Sequence, residues 1–378
     1  MTPFVPLARR TLIYEWARFL PCAAAIAGAL VLIAVQLALV LGIFASAAVY
    51  IDASDADLWM GFRGTQSIEL GRPIPRDADL ILRADPRVGR IEPFIWVSAD
   101  WHGPAGRGEQ SVFVSGIDPG SNGLIFARAL APDTRRLLFE PGTVIVDRAD
   151  LDKLGVPVGA YGSINGKRVH LVAAVSGLRA LGGVSLIASL DTAHALDVDN
   201  KTERPTYYVA QLRPGANIAE VRRDLAATAP RVVQMWTRDE FARRVVVYWL
   251  LETGAGLGVL FITIVVTLAA SVIASQALRS ALAPSLKEYA TLRAFGVGAS
   301  ALRGLMLEKT LWLGGVATLT AALIVSVLIS AAHYAQAPAV LSLTGMLACG
   351  GLLCVVLLAA ALGAMRLVTQ ADPFALLR

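Results

Sequence analysis

Cysteine is nearly absent from this chain: there are three in 378 residues, Cys22, Cys349 and Cys354, all inside apolar runs. The polar middle of the sequence has none, so it must fold without disulfides. Several catalytic motifs are missing as well. No G-x-x-x-x-G-K-[ST] phosphate loop occurs, which excludes nucleotide binding of that kind. His102, His170, His194 and His333 are scattered, without H-E-x-x-H or other ligand spacing and without a nearby cysteine. Neither a metal nor a cofactor is expected. Gly177-Leu-Arg and Gly182-Gly-Val-Ser185 lack the G-x-S-x-G pattern of a nucleophile elbow. No enzyme site emerges.

Charge is the largest deficit. Only 17% of residues are charged against 56% hydrophobic, and the shortage is concentrated in three stretches. Phe19–Ile51, Thr253–Leu278 and Thr310–Met365 contain no Asp, Glu, Lys or Arg. A hydrocarbon core about 30 Å thick takes roughly 20 apolar residues of helix. The first two stretches supply one span each. The third is too long for one and breaks at His333-Tyr-Ala-Gln-Ala-Pro338. The expected fold class is an α-helical integral membrane protein with four transmembrane helices in a one-plus-three order and a large α+β extracytoplasmic domain after the first. Ala45-Ser-Ala47 is similar to a signal-cleavage site. The apolar run, however, exceeds the roughly 7–15 residues of a signal core, so an uncleaved anchor is expected.

Basic residues set the orientation. The segments flanking the spans hold Arg9, Arg10, Arg18, Arg279, Lys287, Arg293, Arg303, Lys309, Arg366 and Arg378. Their acids are Glu15, Glu288, Glu308 and Asp372, a balance of +6 within a whole-chain +5, which leaves about −1 for the outer domain. The positive-inside rule then places both termini and the Arg279–Lys309 loop in the cytoplasm. The expected order is a cytoplasmic start (1–19), first span (20–50), outer domain (51–248), second span (249–278), cytoplasmic loop (279–309), third span (310–332), outer turn (333–341), fourth span (342–365) and tail (366–378). Because the positive charge belongs to the membrane flanks, nucleic acid is not an expected partner. Glu252 is the one acid at a span boundary, which makes it a functional candidate by default. Its expected place at the outer interface favours a plain structural role.

Within the outer domain, Thr206–Leu212 reads as a strand ending at Arg213-Pro-Gly215. Asn217 can cap a helix with Ile218, Val221 and Leu225 on one side, and Val232–Trp236 follows as a strand. Asp77–Ala84 and Arg90–Trp101 repeat the helix-strand pattern near the start. The two ends are thus expected to join in one α/β layer. Gly142–Gly155 reads as a strand and a short helix, and Asn165-Gly166 as a hairpin turn leading into Lys167–Val175. A β-rich subdomain is expected over about 112–200. Gly103–Gly108 and Pro119–Gly123 read as mobile loops.

The cytoplasmic loop is the most specific segment. Pro284 suits a helix start and Gly296 a stop. Leu286, Tyr289, Leu292 and Phe295 recur every three residues, while Lys287, Glu288, Thr291 and Arg293 lie elsewhere. Such a helix either lies on the membrane surface or enters a groove on a partner. Gly254 and Gly258 form a small-xxx-small pair suited to close helix packing, within a protomer or across a dimer.

Lys287-Glu-Tyr-Ala-Thr-Leu-Arg-Ala-Phe-Gly296, with Ala299-Ser-Ala-Leu-Arg303 and Leu307-Glu308, resembles the [RK]-E-x-x-x-L-R-A-x-G signature of FtsX/MacB-type ABC transporter permeases. The ending Ala371-Asp-Pro-Phe-Ala-Leu-Leu-Arg378 is similar to that family's D-P-x-x-A-L-R. Val144–Arg148, Leu154-Gly155, Val158-Gly159 and Asn165–Val169 resemble its outer, MacB-like domain. Ala8–Leu12, Val35-Gln-Leu37 and Asp55–Trp59 are closest to the DevC-like branch. The resemblance implies a homodimer in the inner membrane that lacks its own ATPase and works with two copies of a separate ABC ATPase. A periplasmic adaptor (membrane fusion) protein and an outer-membrane channel are the further implied partners. It also implies that Lys287, Glu288, Tyr289, Leu292, Arg293, Phe295 and Gly296 dock the ATPase. Two rivals stand beside this reading: an FtsX-like signalling subunit that activates a cell-wall hydrolase without moving cargo, and a membrane sensor or enzyme with no ATPase.

Overall fold

The computed structural model describes residues 14–103, 109–198, 200, 203–284, 291, 295 and 297–334, with positions 347, 350, 351, 354, 355 and 358. The chain divides into two compact units, one of residues 43–257 and one combining 1–42 with 258–378. In chain order, helices α1 (Trp16–Ala47) and α2 (Val49–Asp52) precede strand β1 (Leu58–Phe62). Next come α3 (Asp79–Ala84), β2 (Val88–His102), β3 (Gln110–Ile117), α4 (Pro132–Arg136), β4 (Thr143–Asp147) and α5 (Leu151–Leu154). Strands β5 (Tyr161–Ile164), β6 (Lys167–Val175) and β7 (Val184–Ser189) lead to α6 (Leu190–Leu196), β8 (Tyr207–Leu212), α7 (Ile218–Thr228) and β9 (Val233–Thr237). Helices α8 (Arg238–Val247), α9 (Gly254–Leu282) and α10 (Ala299–Tyr334) complete the described elements.

Three helices among the described residues are long and apolar enough to cross a membrane: Trp16–Ala47, Gly254–Ala281 and Gly304–Ala332. The fourth expected span, 342–365, lies outside the described residues apart from the scattered positions given above. Phe19, Cys22, Ile26, Leu30 and Ile33 of α1 pack with Ala270, Ala274 and Leu278 of α9 and with Leu313, Ala317, Ala321 and Val325 of α10. The alanines recur at four-residue spacing, where small side chains let helix backbones approach. A polar contact also joins two of these helices: Gln36 Nε2 donates to Thr263 Oγ1 at 3.1 Å. Large apolar side chains such as Phe261, Leu319 and Leu323 point outward, as a lipid-facing surface requires.

In the 43–257 unit, β1 lies between β8 and β9 and pairs antiparallel with both, while β8 lies between β1 and β2. Two β-α-β segments, β1-α3-β2 and β8-α7-β9, therefore interleave in one layer, as the patterns at the two ends of the domain led us to expect. Side-chain alternation divides the faces. Leu58, Met60, Tyr208, Ala210 and Met235 turn toward Leu82 of α3 and toward Val221 and Leu225 of α7. Trp59, Tyr207, Val209 and Trp236 face the other way.

β2 runs for 15 residues and serves a second structure. The pairings β2–β3, β3–β7, β7–β4, β4–β6, β6–β5 and β5–β2 close a ring of six strands. Closure removes free edges, which an isolated open sheet would expose. Val97, Trp101, Val112, Val114, Val144, Val146, Leu171 and Leu186 fill its interior. The Asn165-Gly166 turn is present, with φ of 49° and 77° at its two residues. Glycine suits the second position because an L side chain rarely adopts that conformation.

Pro119–Gly123, read from sequence as a mobile loop, is flanked on both sides by residues bonded to buried charged side chains, whereas 104–108 lies outside the described residues. The Glu92 carboxylate accepts the backbone N–H groups of Asp118 (3.0 Å), Leu124 and Ile125 (3.3 Å). Arg135 donates to the carbonyls of Asp118 (2.8 Å) and Ile125. Both side chains are buried. Glu92 lies on β2, far upstream of the loop, so local composition gave no sign of the restraint.

Candidate functional site

The chain enters the 43–257 unit through the end of α1 and leaves it through α8. Both passages reach one aromatic core. Tyr50 of α2 lies 5.9 Å from Phe126 and 6.4 Å from Phe94, ring centre to ring centre. Phe94 is 5.9 Å from Trp59 in an edge-on arrangement. Phe241 of α8 approaches Trp59 at 5.6 Å and Tyr207 at 5.8 Å, and stacks on Trp236 at 4.7 Å with 11° between planes. Tyr50, Trp59, Phe94, Tyr207 and Phe241 are fully buried. Such tilted and offset ring pairs each contribute about 0.5–1.5 kcal/mol beyond area burial. The entering and leaving segments are also tied directly, since Arg238 Nη2 donates to the Asp52 carbonyl at 3.1 Å and lies 3.9 Å from its carboxylate.

α8 begins with a capping box, Thr237 accepting from Glu240 N and Glu240 accepting from Thr237 N. After α8 the chain widens into a π-helical turn, Tyr248–Glu252, and breaks at Thr253, whose backbone is extended. Thr253 Oγ1 accepts from Gly256 N at 3.0 Å and donates to the Trp249 carbonyl at 2.5 Å. It thereby caps α9 and closes the preceding turn. A Cβ on Gly256 would strike the carbonyl of Trp249 and sit 2.5 Å from that of Leu250. Gly256 is thus required by this bend. Cβ atoms at Gly254 and Gly258, the expected packing pair, would meet nothing within 4 Å among the described residues.

Trp249 anchors the turn. Its Nε1 donates to Ser67 Oγ at 3.2 Å, and Ser67 Oγ in turn donates to Glu69 Oε2. Burial pushes the Glu69 carboxyl above the ordinary carboxylate range, against the lowering effect of Ser67. Burial likewise raises Asp52, with Arg238 opposing. Glu252, the boundary acid, accepts from Gln66 Nε2 at 2.8 Å on an exposed part of the unit.

Of the expected ATPase-docking residues, Lys287, Glu288, Tyr289, Leu292, Arg293 and Gly296 lie outside the described residues. Phe295 N donates to the Thr291 carbonyl at 3.1 Å, the spacing of one α-helical turn. Phe295 itself is 83% exposed. Among the described residues no three His, Cys, Asp or Glu side chains could hold a metal ion. An open groove of about 590 Å³ runs between α3 and α7, but Arg87 at its rim is occupied by Asp85 (2.7 Å) and Asp224 (3.0 Å).

No protein-family model and no curated protein matches the chain. Solved structures do align with it. One is the periplasmic region of MacB from Actinobacillus actinomycetemcomitans, 13% identical, covering 52% of this chain and 95% of that one at a TM-score of 0.36. Another is the extracellular domain of the noncanonic ABC-type transporter YknZ from Gram-positive bacteria, 10% identical, covering 48% of this chain and 100% of that one at a TM-score of 0.34.

Proposed function

We propose that this chain is the permease subunit of an ABC exporter, which carries motion from a separate ATPase to an outer domain. The observation that carries this reading is the shared aromatic core, where the segments entering and leaving the outer unit are fixed to each other and to the sheet. A displacement of either segment must move the sheet with it, because close-packed interiors do not yield continuously. The signature Lys287–Gly296 supplies the other end of the path. Its apolar row, Tyr289, Leu292 and Phe295, enters a groove on the ATPase, while Lys287, Glu288 and Arg293 orient it. In this reading two copies of the chain pair in the inner membrane with both termini cytoplasmic, Gly254 and Gly258 face the partner copy, and a periplasmic adaptor continues the conduit outward. Cargo is driven by the outer domain and need not pass between the membrane helices.

The test is co-purification of the chain with its ATPase in detergent. Burying a Phe side chain contributes roughly 1.5–3 kcal/mol, so Phe295→Asp should abolish capture and stimulated ATP turnover. A Phe295→Asp protein that inserts normally and still binds and stimulates the ATPase would reduce this helix to a membrane-surface element.

A further inference from the structure

The backbone crosses twice between the two compact units, and the two crossings are built differently. The first, at 42/43, falls inside α1, which is helical from Trp16 to Ala47. Only Ala48 separates α1 from α2. Ala48 N donates to the Ala45 carbonyl (3.1 Å), Asp52 N to the Ala48 carbonyl (2.9 Å) and Ala53 N to the Val49 carbonyl (3.0 Å), which carries the helical ladder across. The second crossing, at 257/258, comes just after the π-helical turn Tyr248–Glu252 and the extended Thr253, where the run of α-helix is interrupted. Both neighbours of that break are packed helices: α8 places Phe241 and Val245 in the aromatic core, and α9 places Ala270, Ala274 and Leu278 in the helical core. A change of angle between two packed helices is absorbed by the few residues that join them. π-helical turns are rare and recur at functional sites.

We propose that Tyr248–Thr253 is a hinge at which α9 changes its angle to the 43–257 unit, while α1 enters that unit unbent. Trp249 is the fixed end. Its Nε1 donates to Ser67 Oγ at 3.2 Å, and its ring lies against Gly182, where a Cβ would sit 3.7 Å from the indole. Ser67 follows β1 and Gly182 lies between β6 and β7, so the indole is held from the antiparallel layer and from the six-strand ring at once. Thr253 is the latch. Its hydroxyl donates to the Trp249 carbonyl at 2.5 Å and accepts from Gly256 N at 3.0 Å, joining the turn before the break to the turn after it. Glu252 adds an exposed bond to Gln66 at 2.8 Å. These are single hydrogen bonds that water can replace as the angle changes. On α9, Ala270 and Ala274 offer α1 and α10 a smooth face along which it can shift. The hinge lies beyond Phe241, so α8 keeps its place in the aromatic core as α9 swings. The device belongs to this chain alone and stands or falls apart from any ATPase.

The test measures two spin-label distances in the full chain in lipid nanodiscs, without ATPase, in a background from which Cys22, Cys349 and Cys354 have been removed. Labelled chains are diluted with unlabelled parent so that each distance is read within one protomer. Both pairs share Asp133→Cys on the 43–257 unit. The second label is Leu32→Cys on α1 or Leu268→Cys on α9, and all three side chains are exposed. The Asp133–Leu268 distribution should be wider than the Asp133–Leu32 distribution. Thr253→Ala, which removes the latch, should widen the first further and leave the second unchanged. Thr253→Ser keeps the hydroxyl and should return the parent width. Equal widths for the two pairs in the parent would overturn the proposal, and that comparison needs no variant at Thr253. A Thr253→Ala protein whose Asp133–Leu268 distribution is no wider than the parent's would overturn it too. So would one that widens both pairs alike, which would make Thr253 a residue of general stability.

Discussion

Phe241 is where the leaving helix grips the 43–257 unit, and its removal is the sharpest perturbation of that grip. The side chain is fully buried and has three aromatic neighbours, Trp59, Tyr207 and Trp236. Truncation of a buried Phe to Ala costs about 3–5 kcal/mol, including the cavity left behind. Phe241→Leu keeps most of the volume and loses chiefly the ring contacts, about 1–2 kcal/mol. For a unit of this size, 1 kcal/mol corresponds to about 2–4 °C in melting temperature. Phe241→Ala should therefore melt about 6–20 °C below the parent, and Phe241→Leu only a few degrees below. Trp59 and Trp236 lie against the substituted ring, so tryptophan emission follows the transition at the site itself. Trp101→Leu, in the separate core of the six-strand ring, serves as a comparison of similar burial. At a temperature where all three variants are folded, Phe241→Leu should reduce ATPase-driven output more than Trp101→Leu does. An Ala variant that melts within about 2 °C of the parent would refute the packing argument. Equal output losses for the two Leu variants would refute the mechanical one.

Other perturbations have distinct signatures. Arg135→Met removes the two guanidinium hydrogen bonds to the Asp118 and Ile125 carbonyls, each about 1.5–3 kcal/mol; thermal melting should fall and proteolysis should open at 118–126, and an intact, unshifted protein would contradict the buried-charge restraint. Gly256→Ala should disturb the bend after Trp249 and lower stability, whereas Gly254→Ala and Gly258→Ala should leave the protomer's melting unchanged; comparable losses at all three positions would show that the bend is not the source. Glu69, with its raised folded pKa, stabilises fully below its ordinary value of 4.5 and loses that contribution as pH rises through the folded value. Between pH 4.5 and neutrality, Glu69→Gln should thus lose less stability than the parent, and parallel pH profiles would remove Glu69 as the cause.

The parts of the fold that could be read from the sequence were those fixed by local pattern. Three of the four expected spans appear as helices among the described residues, and Asn217 caps α7 by accepting from Ala219 N and Glu220 N. The Asn165-Gly166 turn follows from the conformations those residues tolerate. What could not be read depends on distant partners. Nothing local to Pro119–Gly123 announces that Glu92 and Arg135 bond the residues on either side of it. Closure of six strands into a ring depends on β2 pairing with both β3 and β5, which no single strand's alternation encodes. Gly254 and Gly258 were conspicuous by spacing, yet Gly256 between them is the residue the bend requires, because the collision is with backbone a turn earlier. The aromatic core was also hidden: Tyr50 sits at the end of an apolar run and looks like membrane helix, while its ring belongs to the 43–257 unit. The signature loop remains a sequence argument, apart from Thr291 and Phe295.

The central claim is that motion begun at the ATPase reaches the outer domain through this chain. Its most direct measurement is a distance between spin labels on the outer domains of two paired copies, reconstituted with the ATPase in nanodiscs. Asp133→Cys is a suitable position, since that side chain is 94% exposed, in a background from which Cys22, Cys349 and Cys354 have been removed. Addition of ATP with vanadate should shift the distance distribution of the parent and leave that of Phe295→Asp unchanged. An unshifted distribution in the parent, with the ATPase bound and turning over, would contradict the account.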